Sequence, residues 1–151
     1  MKMSLKKHIE EDLKNAIRNQ NKDETRALRG IKSMILLLET EKGASGELSE
    51  DAELGLLSKA LKQRKDSAQL YSEQGREDLA AIELSEIEII NKYLPKQLTE
   101  DQLTEKLREI ISQLGASGPK DMGKVMGLAN KSLKGKADGG TIAGIVRTLL
   151  N

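Results

Sequence analysis

Aliphatic residues recur every three or four positions along almost the whole chain, and no window sustains the apolar–polar alternation of a half-buried strand. That spacing restricts the chain to helices. Leu5, Ile9, Leu13 and Ile17 mark a first helix, and Leu28, Ile31, Ile35 and Leu38 a second. KGASGELSE, residues 42–50, reads as a flexible connection, with Ser49 a candidate cap for a third helix carrying Leu54, Leu57, Leu61, Ala68 and Tyr71. Gly75 ends that helix or bends it into a fourth on Leu79, Ile82, Glu86 to Ile90 and Tyr93. Pro95 disfavours helix in the residue before it, so the fourth helix stops near Leu94.

A second set of helices follows. Thr99 with Gln102 fits a capping box for a helix through Leu103, Leu107, Ile110 and Leu114, closed by Gly115. Two shorter helices are expected at roughly 121–133 and 139–150, joined by KGKADGG with Asp138 as the cap. The expectation is an all-α fold: a helical hairpin or bundle of about four helices over residues 1–94, then a small three-helix domain over 95–151. Of 151 residues only Tyr71 and Tyr93 are aromatic, so the cores must be built from Leu, Ile, Val, Met and Ala.

Absence of cysteine excludes a disulfide framework, a thiolate nucleophile and a cysteine-bound metal. The longest strongly apolar run, Met34 to Leu38, is far short of the ~20 residues of a membrane helix, and MKMSLKKHIEEDL lacks a signal peptide's apolar segment. Cytoplasmic residence with no membrane partner is therefore expected.

Charge is distributed unevenly. Residues 1–94 hold 16 Lys/Arg against 18 Asp/Glu, a net −2, whereas 95–151 hold 9 against 6, a net +3. The excess lies beyond Gly115, in Lys120, Lys124, Lys131, Lys134, Lys136 and Arg147, and points to an anionic partner.

One stretch there, GPKDMGKVMG at 118–127, imitates a phosphate-binding loop. It lacks the preceding buried strand, carries Val125 where a magnesium-binding hydroxyl belongs, and loses an N–H donor at Pro119. Rotating the residues by ~100° per position gives a better account. Met122, Val125, Met126, Ala129 and Leu133 fall on one face; Lys120, Lys124, Gly127, Lys131 and Lys134 fall opposite, with Gly123 beside them. In the last helix Ile142, Ile145, Val146, Leu149 and Leu150 point inward, and Gly140, Gly144 and Arg147 point away.

Glycine within a helix costs about 1 kcal/mol relative to alanine, so glycines off the core face call for a use. Either a sugar-phosphate backbone approaches closely between flanking cations, or the small residues admit another helix or serve as caps. Spacing leaves both open. If the ligand is nucleic acid, the lack of aromatic stacking platforms disfavours splayed single-stranded bases, and structured RNA read by shape and backbone is the compatible target; no DNA partner is expected.

Elsewhere the sequence offers little chemistry. His8, the only histidine, reads as a partly exposed, non-catalytic residue, and the carboxylates of Glu10, Glu11, Asp12, Glu50, Asp51 and Glu53 show no metal-ligand spacing. No catalytic residue, metal or cofactor is expected. Arg64 lies on the apolar stripe of the third helix and needs an acidic partner, with Asp78, Glu83 and Glu86 as candidates. A structural polar clamp between the third and fourth helices, drawn from Arg64, Tyr71, Arg76 and Asp78, is the expectation.

The run Arg64-x-x-Ser67-x-x-x-Tyr71-x-x-x-Gly75-Arg76-x-Asp78-Leu79, then Tyr93-Leu94-Pro95, then GKVMG and GKADGG, together resemble the GatB/YqeY family. That family comprises the YqeY-like proteins and the tail domain of the B subunit of the glutamine-dependent tRNA amidotransferase. The resemblance spans essentially the whole chain and implies an all-helical fold. It implies that Lys120, Lys124, Lys131, Lys134, Lys136 and Arg147, with Gly123, Gly127, Gly140 and Gly144, face tRNA. It also implies an association with carbon–nitrogen ligation using glutamine, and supplies no active site. Three functions are thus expected in turn: a tRNA-associated module of translation, an accessory component of an amidotransferase, or an adaptor that receives a partner protein's helix.

Overall fold

The computed structural model describes residues 3–41 and 47–151, and all of its regular structure is helical. The connection expected at 42–50 lies in large part outside the described residues. By internal contacts the chain forms two compact units, Met1–Leu94 and Pro95–Asn151.

In the first unit α1 spans Leu5–Arg18, α2 Lys22–Glu41, α3 Glu50–Glu73 and α4 Glu77–Asn91. Local chemistry sets their starts. Ser4 Oγ accepts from Lys7 N at 3.3 Å, Asn21 Oδ1 from Glu24 N at 3.1 Å, and Ser49 Oγ from Ala52 N at 3.1 Å. Each satisfies an N–H that a helix leaves without an intrahelical partner. Between α3 and α4 the chain turns through Gly75 at φ +74°, a conformation glycine adopts without the steric cost of a Cβ.

The core of this unit is aliphatic. Ile9, Leu28, Ile31, Ile35, Leu57 and Ile90 are fully enclosed, each contributing about 1.5–3 kcal/mol by leaving water. Two stripe assignments need correction. Ile17 is half exposed and Ala16 is buried in its stead. Three successive steps of four rotate Ile17 about 120° from Leu5, whereas Ala16, eleven residues on, returns to within about 20°. Ile82 likewise lies outward on α4, while Glu86 turns inward.

In the second unit α5 spans Glu100–Leu114, α6 Met122–Ser132 and α7 Gly139–Leu150, with a 3-10 turn at Pro119–Asp121 before α6. Thr99 and Gln102 form the complete capping box, Gly115 closes α5 at φ +63°, and Asp138 Oδ2 accepts from Thr141 N at 3.1 Å. Leu103, Leu107 and Ile110 meet Val125, Ala129 and Leu133 and then Ile142, Val146 and Leu150. The entering segment is stitched to the α6–α7 turn: Gln97 Nε2 donates to Gly135 O at 2.6 Å and Leu98 N to Lys136 O at 3.0 Å.

Candidate functional site

The stretch 118–127 is a 3-10 turn running into a helix, not a loop wrapped around an anion. Asp121 Oδ2 accepts from Ser117 N at 3.0 Å; that bond, aided by Lys124 and Lys120, holds the carboxyl below its usual range. The first turn of the basic face is thus partly neutralised by its own aspartate. Farther along α6, Lys131 and Lys134 are exposed and form no ion pair among the described residues. Lys124 and Arg147 are exposed too, whereas Lys136 is half buried in the α6–α7 turn, where its backbone is engaged at both ends.

The glycines separate into groups. A Cβ added at Gly123, Gly127 or Gly144 would meet nothing within 4 Å, so none of the three makes room for a neighbour inside this molecule. At Gly140 a Cβ would come to 3.1 Å from Asp138 Oδ2, which gives this glycine a local reason: it clears the helix cap. None of these four has positive φ, so backbone conformation does not require them either.

In the first unit the expected clamp divides into two separate pairs. Arg64, mostly buried on α3, has Glu86 as its acidic neighbour, Nη2 to Oε1 at 3.9 Å. Arg76 pairs instead with Asp78 through two bonds of 3.1 Å, which raise the arginine and lower the aspartate, out in solvent. Tyr71 contributes its backbone carbonyl to Arg76 N at 2.8 Å; its hydroxyl joins neither pair. Sequence reasoning missed Arg26 of α2, whose Nε lies 3.4 Å from Glu86 Oε2 while its Nη2 donates to Asp23 at 2.8 Å. It also missed Gly30, where a Cβ would stand 3.0 Å from Arg64 Nη2. A side chain at position 30 would press on the guanidinium where it lies against α2 and make it shift by a few tenths of an ångström.

His8 belongs to a third cluster. Its Nε2 lies 3.5 Å from Asp12 Oδ2, the same oxygen accepts from the Tyr93 hydroxyl, and the two rings meet edge to face with centroids 5.2 Å apart. Burial first, then the bond to Asp12, pushes the Tyr93 phenol above its ordinary range. The i,i+4 pair was readable on α1; Tyr93, 81 residues from Asp12, was not. Among the described residues no group of three or more His, Cys, Asp or Glu is arranged around a metal site.

Curated relatives share the name "Altered inheritance of mitochondria protein 41, mitochondrial". That of Clavispora lusitaniae is 37% identical over 108 residues, covering 70% of this chain and 62% of the relative. That of Meyerozyma guilliermondii is 33% identical over 129 residues, 82% and 65% respectively. That of Pyrenophora tritici-repentis is 28% identical over 131 residues, 85% and 71%. The chain thus spans just under two thirds of the length of the first two.

Two expectations are corrected by these names. The relatives are mitochondrial, which overturns the cytoplasm as the expected compartment, and their name describes neither a tRNA-associated module of translation nor an amidotransferase component. The reasons are physical. A cysteine-free chain is indifferent to the redox state of its compartment, and a row of lysines reports an anion without reporting whether it is a phosphate or a carboxylate. The family assignment stands on firmer ground: the model described as "Yqey-like protein" matches residues 6–150, and the chain belongs to that family.

Proposed function

We propose that the unit Pro95–Asn151 is a docking module that receives an acidic helix of a partner protein. The observation that carries this reading is the pair Gly127 and Gly144, each inside a helix, each without positive φ and each with open space where a Cβ would be. Each lowers helix stability by about 1 kcal/mol with no return inside the molecule. A glycine on an outer face lets a second backbone come close, and Lys124, Lys131, Lys134 and Arg147 beside these glycines complement carboxylates on the arriving helix. The expected architecture, four helices then three, assigns docking to the smaller part and leaves the larger as its support. The relatives' name supplies the setting, so we place the partner among mitochondrial proteins.

The test is capture of one defined protein by the full chain after nuclease treatment, with the contact mapped by crosslinking. Gly127→Leu and Gly144→Leu should each abolish capture with the fold intact, and Lys131→Glu should weaken it about tenfold at low salt. A complex that disappears with nuclease, or one that ignores all three substitutions, refutes the proposal.

A further inference from the structure

Between α3 and α4 lies a cavity of about 480 Å3 that none of the functions above uses. Gln63, Arg64, Asp66 and Ser67 line it from α3, and Glu83 and Glu86 from α4. Every residue lining it is polar or charged and it opens broadly to solvent, so it is no packing defect between aliphatic side chains; space of this kind holds water or a polar ligand.

Its charges are unevenly answered. Asp66 is held by Lys62 at 3.1 Å. Glu86, only 7% exposed, is approached by Arg26 at 3.4 Å and Arg64 at 3.9 Å. Arg64 finds its other acceptors at 3.4 Å on Gln63 Oε1 and 3.5 Å on Ala60 O. All of these are longer than the 2.7–2.9 Å typical of a charge-assisted bond. Glu83 has no hydrogen bond or ion pair among the described residues, and the Ser67 hydroxyl has none either. Burial first and the neighbouring Glu86 second hold the Glu83 carboxyl above its usual range, against the pull of Arg64 and Arg26. One cavity therefore holds a guanidinium with poorly used donors and a carboxylate with no partner.

A simple anion would meet Arg64 but also three carboxylates. A simple cation would answer Glu83 and leave the donors of Arg64 as they are. We propose that this cavity binds a small zwitterion of the size of a free amino acid, its carboxylate on Arg64 and its ammonium between Glu83 and Ser67. Both charges of such a ligand replace long or absent contacts with direct ones, and the open side of the cavity leaves space for a side chain. Gly30 borders the same guanidinium, which a Cβ there would approach to 3.0 Å.

The full chain, labelled with nitrogen-15, is titrated with each of the common L-amino acids, and in parallel with alkylamines and alkylcarboxylates of matched length. Shifts at the amides of Arg64, Ser67 and Glu83 are expected from one or more amino acids and from none of the single-charge controls. Glu83→Gln should weaken binding about tenfold and Ser67→Ala severalfold. Neither side chain has a bonded partner in the fold, so both variants should stay folded. The proposal is overturned if no amino acid moves these amides at about ten millimolar, if the amines alone bind as well, or if Glu83→Gln binds like the parent.

Discussion

Replacing Glu86 by glutamine removes a carboxylate on which two guanidinium groups, those of Arg26 and Arg64, converge. The Arg64 and Glu86 side chains are 16% and 9% exposed and 3.9 Å apart. At an effective dielectric constant of about 20 their attraction is about 4 kcal/mol, much of it offset by the cost of taking both charges out of water. Arg26 loses little, under about 1 kcal/mol, because it is 43% exposed and keeps Asp23 at 2.8 Å. Arg64 loses more: its remaining acceptors lie at 3.4 and 3.5 Å, which leaves a mostly buried cation poorly compensated.

Breaking a buried pair on one side costs roughly 3–5 kcal/mol, and the glutamine carbonyl, still an acceptor, brings the expected loss to about 2–3 kcal/mol. In a domain of this size that is a fall of about 10–20 °C in Tm. Urea unfolding read from resolved amide signals of α3 and α4 keeps the other unit out of the measurement. The double variant Arg64→Met, Glu86→Leu should recover most of the loss, since removing both charges orphans neither. A single-variant loss below about 0.5 kcal/mol, or a double variant no better than the sum of its singles, would show that this pair is not coupled.

Three further outcomes follow from the same structure. In a Tyr71→Phe background Tyr93 is the only phenol left to ionise, and alkaline absorbance titration should show it ionising above the ordinary value of 10.0. Its folded pKa is raised, so its contribution to stability is present below about pH 10 and is lost as pH rises through the folded value; Asp12→Asn should bring the titration down. Glu83 is also raised, from 4.5, so its contribution is complete below about pH 4.5 and is lost as pH rises through the folded value. Glu83→Gln should accordingly gain stability over the parent at about pH 7 and not at about pH 4, seen as a shift in urea midpoint. Gly127→Ala should stabilise by about 1 kcal/mol because its Cβ meets open space, whereas Gly115→Ala should destabilise by about 1–2 kcal/mol at φ +63°; a thermal melt shifted down for the first or up for the second would contradict that assignment.

What the sequence made legible is what neighbouring residues decide among themselves. Ser49, Thr99 with Gln102, Gly115 and Asp138 each act on N–H or C=O groups within four residues, and each stands where the spacing put it. The inward faces of α6 and α7 were readable for the same reason, since 11 and 12 residues leave little room for rotational drift. Ile17 shows the opposite case, where steps of four carried the stripe around the helix. The choice of Glu86 among three carboxylates was not decidable locally, because it depends on Arg26, 60 residues away, and on a glycine in α2 that clears the space.

The glycines and the buried charges carry the same lesson from two directions. A protein selected only for stability would place alanine at Gly127 and Gly144, where a Cβ meets nothing, and aliphatic side chains at Arg64 and Glu86, where long contacts return little of the desolvation cost. These departures fall in separate units: the glycines on outer helix faces, and the charged pair at the edge of an aliphatic core beside a depression open to solvent. The proposed docking face and the proposed α3–α4 site share no residue, so each can fail without the other.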